Sequence, residues 1–206
     1  MGFYSKQKKV KQYHGAQRKD PEVCWDLFEP TVIPDGFVLL VDTREQIPLF
    51  ASGGQFKNDE IRVENGLVMK GKTLHLGDYS IGGYHKAVGI ERKKQSDWES
   101  FILSEYKRKT IPKLCRMRDA VWSALVIEAN LGVLYNYPVS PKMTREKVRN
   151  QLASIETHYG IHTYITGNRK ELEMWVLDRL VRVYKYLQEG TLHEKDRDEK
   201  IAEDDD

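Results

Sequence analysis

Cysteine is nearly missing from this chain. Cys24 and Cys115 are the only two in 206 residues, far apart and in no Cys-x-x-Cys pair. That excludes a disulfide framework, argues against a structural zinc, and fits a reducing compartment. Long apolar runs are missing too: none approaches the ~18 residues that mark a membrane span. The opening MGFYSKQKKVKQYHG has charge but lacks the apolar stretch of a secretory leader. Nor does one sign of charge dominate, since the formal net charge is +2. The expectation is a soluble protein with no membrane partner, cytoplasmic or nucleoid-associated, or nuclear in a eukaryotic cell.

What is present is unevenly spread. Residues 6–19 hold six Lys/Arg, whereas residues 194–206 hold eight Asp/Glu against three Lys/Arg. Such blocks read as solvated tails. The chain therefore divides into a basic extension (1–35), one folded domain (36–188) and an acidic, disordered tail (189–206).

Within the domain, the apolar run Phe37–Val41 reads as a buried strand leading into Asp42-Thr43-Arg44-Glu45. Leu67–Lys70 and Lys72–Leu76 flank Gly71 and suggest a short hairpin or a bent strand. Tyr79–Ile81 and Ala87–Ile90 straddle the turn signal Gly82-Gly83. Ser96-x-x-Glu99 has the form of a capping box, with Trp98, Phe101 and Ile102 behind it at helical spacing. Pro112 is expected to break or restart that helix. Trp122–Ala129 is the next buried strand. A helix from Thr144 carries Val148, Leu152, Ile155 and Tyr159 and ends at Gly160. Ile161–Thr166 is a short strand, and Leu172, Val176, Leu180, Tyr184 and Leu187 mark a last amphipathic helix. Strands first, then helices alternating with strands, predict an α/β fold with a central mixed sheet flanked by helices.

The chemistry concentrates in GDYSIGGYHKAVGIERK (77–93). Asp78 and Glu91 are far enough apart for a strand, a turn and a returning strand to bring them together. Adjacent carboxylates repel unless a cation lies between them. Mg²⁺ suits such a pair, taking one or two carboxylates and leaving room for water and phosphate. Lys93 is two positions from Glu91, so on a strand both point to one face while Arg92 points to the other. Asp42, at a strand end, offers a third carboxylate. Asp97 reads equally as helix N-terminal charge and as a site residue. Downstream, Lys107, Arg108, Lys109, Lys113, Arg116 and Arg118 form a basic stretch that, with Lys94, suits backbone phosphates or else a solvated helix face. His158 and His162 are separated by Gly160, which argues against a shared zinc.

VDTRE (41–45), GDY (77–79) and ERKKQSD (91–97) together resemble the nuclease domain of XPF-type structure-specific endonucleases, the ERCC4-like branch of the PD-(D/E)xK superfamily. The resemblance spans roughly residues 37–187, and VIEA (126–129) matches more loosely through Glu128. It implies a restriction-endonuclease-like core and a free-standing nuclease domain of the prokaryotic or phage kind, since no helix-hairpin-helix pair fits after Leu187. Asp42, Asp78 and Glu91 match its metal acids, with the Arg92 carbonyl as a further ligand, and Lys93 matches the catalytic lysine. Arg44, Glu45, Arg92 and Asp97 match supporting positions. The implied activity is Mg²⁺-dependent hydrolysis of DNA, with Mn²⁺ as a substitute, in repair, recombination or phage DNA processing. Flap, fork or branched substrates are within that range, and a homodimer or heteromeric partner fits it. The alternative is an inactive DNA-binding or scaffolding subunit with the same fold.

Overall fold

A computed structural model describes residues 31–102, 107–136 and 144–192. Nearly all of the expected basic extension and of the acidic tail lies outside these residues. Seven strands form one sheet in the order β2-β3-β1-β4-β5-β6-β7. They are β1 (Leu39–Asp42), β2 (Ile61–Glu64), β3 (Leu67–Lys72), β4 (Tyr79–Ile81), β5 (Val88–Lys94), β6 (Trp122–Glu128) and β7 (His162–Thr166). The helices are α1 (Gln95–Ile102), α2 (Lys107–Asp119), α3 (Leu131–Asn136), α4 (Arg145–Thr157) and α5 (Arg169–Gln188). β1 pairs parallel with β3, β5 with β6 and β6 with β7; the remaining pairs are antiparallel. The sheet is therefore mixed, as expected.

Period-two alternation sorts the side chains into two cores. Leu39 and Val41 of β1, Val88 and Ile90 of β5, and Ala124 and Val126 of β6 pack with Leu172, Val176 and Leu180 of α5. Leu125 and Ile127 of β6 face the opposite way, onto Trp98, Phe101, Leu114, Met117, Val148, Leu152 and Ile155 of α1, α2 and α4. Strands buried on both faces need continuous apolar runs, and β1 and β6 have them. Glu91 belongs by alternation to the α1–α2 face and Arg92 to the α5 face.

Some local expectations need correction. β3 runs unbroken through Gly71, where an added Cβ would lie 2.0 Å from the Lys57 carbonyl oxygen. The hairpin turn is instead Asn65-Gly66, both at positive φ (51° and 79°), joining β2 to β3. Residues 73–76 form no strand. The helix after β5 begins at Gln95, one residue ahead of Ser96, so Ser96 does not cap it. Pro112 lies inside α2, its missing N–H offset by the burial of Leu114 and Met117 on the same helix. α4 ends at Thr157, before Tyr159.

Candidate active site

Gly77 starts the construction. Its φ is +73°, and a Cβ there would lie 2.5 Å from the Ile90 carbonyl oxygen. The chain thus rides directly on β5, and the next residue is clamped by main chain on two sides. Asp78 N–H donates to the Ile90 carbonyl (2.7 Å), and the Asp78 carbonyl accepts from the Asp42 N–H (2.8 Å). Its side chain turns back to β5, where Oδ2 accepts from the Arg92 N–H at 2.7 Å.

Glu91 is fully buried. Its Oε1 is paired with Lys93 Nζ and accepts from Lys113 Nζ at 2.7 Å. Its Oε2 is buried with no hydrogen-bond partner among the described atoms, a situation that native interiors rarely leave unexplained. Burial and, after it, the Glu91 charge raise the Asp78 carboxyl to about 7. Burial pushes Glu91 upward as well, but the two lysines outweigh it and its pKa is lowered. Lys93 is raised: burial opposes its charge, and Glu91 and Asp78 more than compensate. The ammonium form of Lys93 is therefore strongly favoured.

Asp42 is held by its own neighbours. It is fully buried, but both oxygens are engaged: Oδ1 accepts from Arg44 N and Nε (2.7 and 2.8 Å), and Oδ2 from Arg44 Nη2 and Leu74 N (2.8 and 2.7 Å). Burial would raise its pKa, yet these bonds hold it below the usual carboxylate range. Among the described residues no three His, Cys, Asp or Glu side chains gather as a metal-holding group. As the side chains stand, Asp42 braces Arg44 beside Asp78 and Glu91.

Arg92 does point away. Its guanidinium is buried and bonds Glu128 Oε2 (Nε, 3.0 Å), Glu45 Oε1 (Nη1, 3.1 Å) and the Ile47 carbonyl (Nη1, 2.7 Å). Arg169 at the start of α5 reaches Glu128 at 3.7 Å, Glu173 at 3.3 Å and the Pro48 carbonyl at 2.5 Å. Glu45, Arg92 and Glu128 therefore tie the loop after β1 to β6 and α5, on the far side from Glu91.

Asp97 sits in the first turn of α1 and, with Lys93, Phe101, Lys109 and Lys113, lines a cleft of 420 Å³. Arg108 is exposed on α2, Lys94 ends β5, and the Lys107 side chain lies outside the described atoms. Lys113 differs most from expectation: it meets Glu91 rather than serving only as an outer basic residue. Sequence reasoning missed this, although Lys109, Lys113 and Arg116 have the i, i+4, i+7 spacing of one helix face. His158 caps α4 while His162 stacks on Trp122 from β7, so the two form no pair.

The donor set fits a divalent cation. Glu91 has an orphaned buried carboxylate oxygen, and its charge opposes the ionisation of Asp78; a hard ion taking one or two carboxylates would satisfy both.

The ERCC4 domain family model matches residues 41–178. Among solved structures, XPF from Aeropyrum pernix superposes with a TM-score of 0.49 at 17% identity, covering 75% of this chain and 68% of that one. XPF from Aeropyrum pernix in complex with DNA gives 0.48 at 19% identity, with 73% and 66% covered. No curated protein matches the sequence.

Proposed function

Because the chain belongs to the ERCC4 domain family, whose XPF-type motifs its sequence carries, we propose that it is a metal-dependent DNA endonuclease hydrolysing phosphodiester bonds. The observation that carries this reading is the unpartnered Glu91 Oε2 beside Asp78, with two lysines on the other Glu91 oxygen. Asp78 and Glu91 would hold Mg²⁺, or Mn²⁺ in its place; the ion supplies Lewis-acid polarisation of a phosphate oxygen.

The remaining work falls to the chain itself. Lys93, kept protonated by the two acids, donates from Nζ to the attacking water or to the oxygens on which charge develops. Its ammonium has no proton vacancy, so it acts by charge rather than as a base. Asp42 sets the Arg44 guanidinium at the cleft mouth, and Arg92 spends its donors on the fold. Asp97 and the lysines of α2 shape the approach for a polyanion.

A panel of labelled branched, nicked, single-stranded and duplex DNAs, incubated with Mg²⁺, Mn²⁺ or EDTA, tests the reading. Cleavage is expected with either metal, none with EDTA, and none from Asp78→Asn. Metal-independent cleavage, or full activity in Asp78→Asn, would dismiss it.

A further inference from the structure

A second cleft adjoins the first. It has a volume of 310 Å³ and is lined by Arg44, Leu74, His75, Gly77, Lys113 and Arg116. Two arginines, a lysine and a histidine are among its lining residues, and no Asp or Glu is. Lys113 also lines the neighbouring cleft that holds Lys93 and Lys109. One helix face thus carries a cation for each side and a shared one between: Lys109, Lys113 and Arg116.

Arg44 makes this cleft more than a patch of surface charge. Its side chain is 69% exposed, yet the guanidinium is fixed by Asp42 Oδ1 and Oδ2 (both 2.8 Å) and by the Leu74 carbonyl (2.6 Å). These bonds use Nε and Nη2, so Nη1 takes no part in the fork. Ordinarily an exposed arginine keeps its rotamer freedom and must surrender it on binding. Here the ordering is already built in by a buried acid, and a preset guanidinium is the preferred partner of a phosphate.

We propose that the cleft bounded by Arg44, His75, Arg116 and Lys113 is a subsite for a backbone phosphate next to the one cleaved, on the same strand. The inference rests on the endonuclease reading and adds the path of the strand: across α2, from the Lys109 side to the Arg116 side, with Lys113 between. Oxygens of the neighbouring phosphate meet Arg44 and Arg116, and His75 closes the rim. Contacts of this kind position the strand without reading its bases.

The test uses oligonucleotides in which one linkage at a time is a neutral methylphosphonate, stepped through the bond the protein cuts with Mg²⁺. Binding is measured in the Lys93→Ala background, with and without His75→Ala plus Arg116→Ala. A neutral linkage adjacent to the cut bond should weaken binding about tenfold. The double change should weaken binding to fully charged DNA severalfold, lower the salt slope by about one, and reduce the penalty at that linkage alone, Arg44 and Lys113 keeping the remainder. Divalent-ion affinity measured by calorimetry without DNA should stay the same, because neither residue touches Asp78 or Glu91. Arg116→Glu should exaggerate the loss.

An undiminished penalty at the adjacent linkage, or unchanged binding in the double variant, would overturn the subsite while leaving the nuclease intact. A protein that neither binds nor cuts DNA with Mg²⁺ would overturn both.

Discussion

β5 carries two ionic networks, one on each face, and they differ in completeness. On the α5 face, Arg92 is buried with Glu45, Glu128 and the Ile47 carbonyl arranged around its guanidinium. On the α1–α2 face, Glu91 is equally buried, but one of its oxygens has no partner among the described residues, and Asp78 is raised to about 7. Successive residues of one strand have thus been given opposite treatments. A buried charge with partners on every side holds the fold; a buried charge left incomplete among the described residues is costly until something completes it. The contrast separates scaffold from site without reference to any relative.

Substitutions can break that contrast. The largest effect is expected on the finished side. Arg92→Ala takes the buried cation from between Glu45 and Glu128 and should cost about 3–5 kcal/mol of folding stability, read by denaturant unfolding. On the unfinished side Lys93→Ala, which leaves Glu91 paired with Lys113, should cost clearly less folding stability. It should instead lower the cleavage rate about 10²–10³-fold, read in single-turnover assays. Equal stability losses in the two variants would show that the faces do not differ as described.

The pH dependence comes next. Asp78 has a folded pKa above its unfolded value of 3.8, so between the two the folded state binds more protons than the unfolded one. The contribution of Asp78 to the stability of the metal-free protein should therefore fall as pH rises from about 4 to about 7, by at most about 1.4 kcal/mol per pH unit, and Asp78→Asn should remove it. Added Mg²⁺ should restore more stability at pH 8 than at pH 5. Thermal unfolding with and without EDTA reads both, and a metal effect that does not change with pH would count against Asp78 as a ligand.

The smallest effect concerns Lys113. Its ammonium competes with a cation for Glu91, so Lys113→Met should tighten divalent binding severalfold, worth about 1 kcal/mol at an effective dielectric typical of proteins. Calorimetry decides the sign.

Sequence patterns foretold the strands with marked composition. The runs in β1 and β6 are apolar on both faces because both faces are covered, and the Glu-x-Lys spacing placed 91 and 93 together with Arg92 opposite. β2, with the sequence IRVE, gave no such signal. It is an edge strand whose Ile61 and Val63 are exposed, so burial does not dictate its pattern. The Asn65-Gly66 turn was nevertheless readable from the dipeptide. Lys113 could not be assigned to Glu91 because their meeting depends on how α2 packs against β6, a long-range contact with no local signature. Asp42 read from the sequence as a third site acid, and its pairing with Arg44 was not foreseen. That pairing depends on a turn that folds Arg44 back onto it, which spacing alone does not reveal.

The clamp on Asp78 has a bearing on how this scaffold can diversify. Its placement depends on peptide groups of residues 42, 78 and 90, which are indifferent to most exchanges of neighbouring side chains. Residues at 75, 100, 109 and 116 can accordingly drift without displacing the acid. New substrate preferences would then be reachable by single steps at the rim, with the reactive centre inherited unaltered.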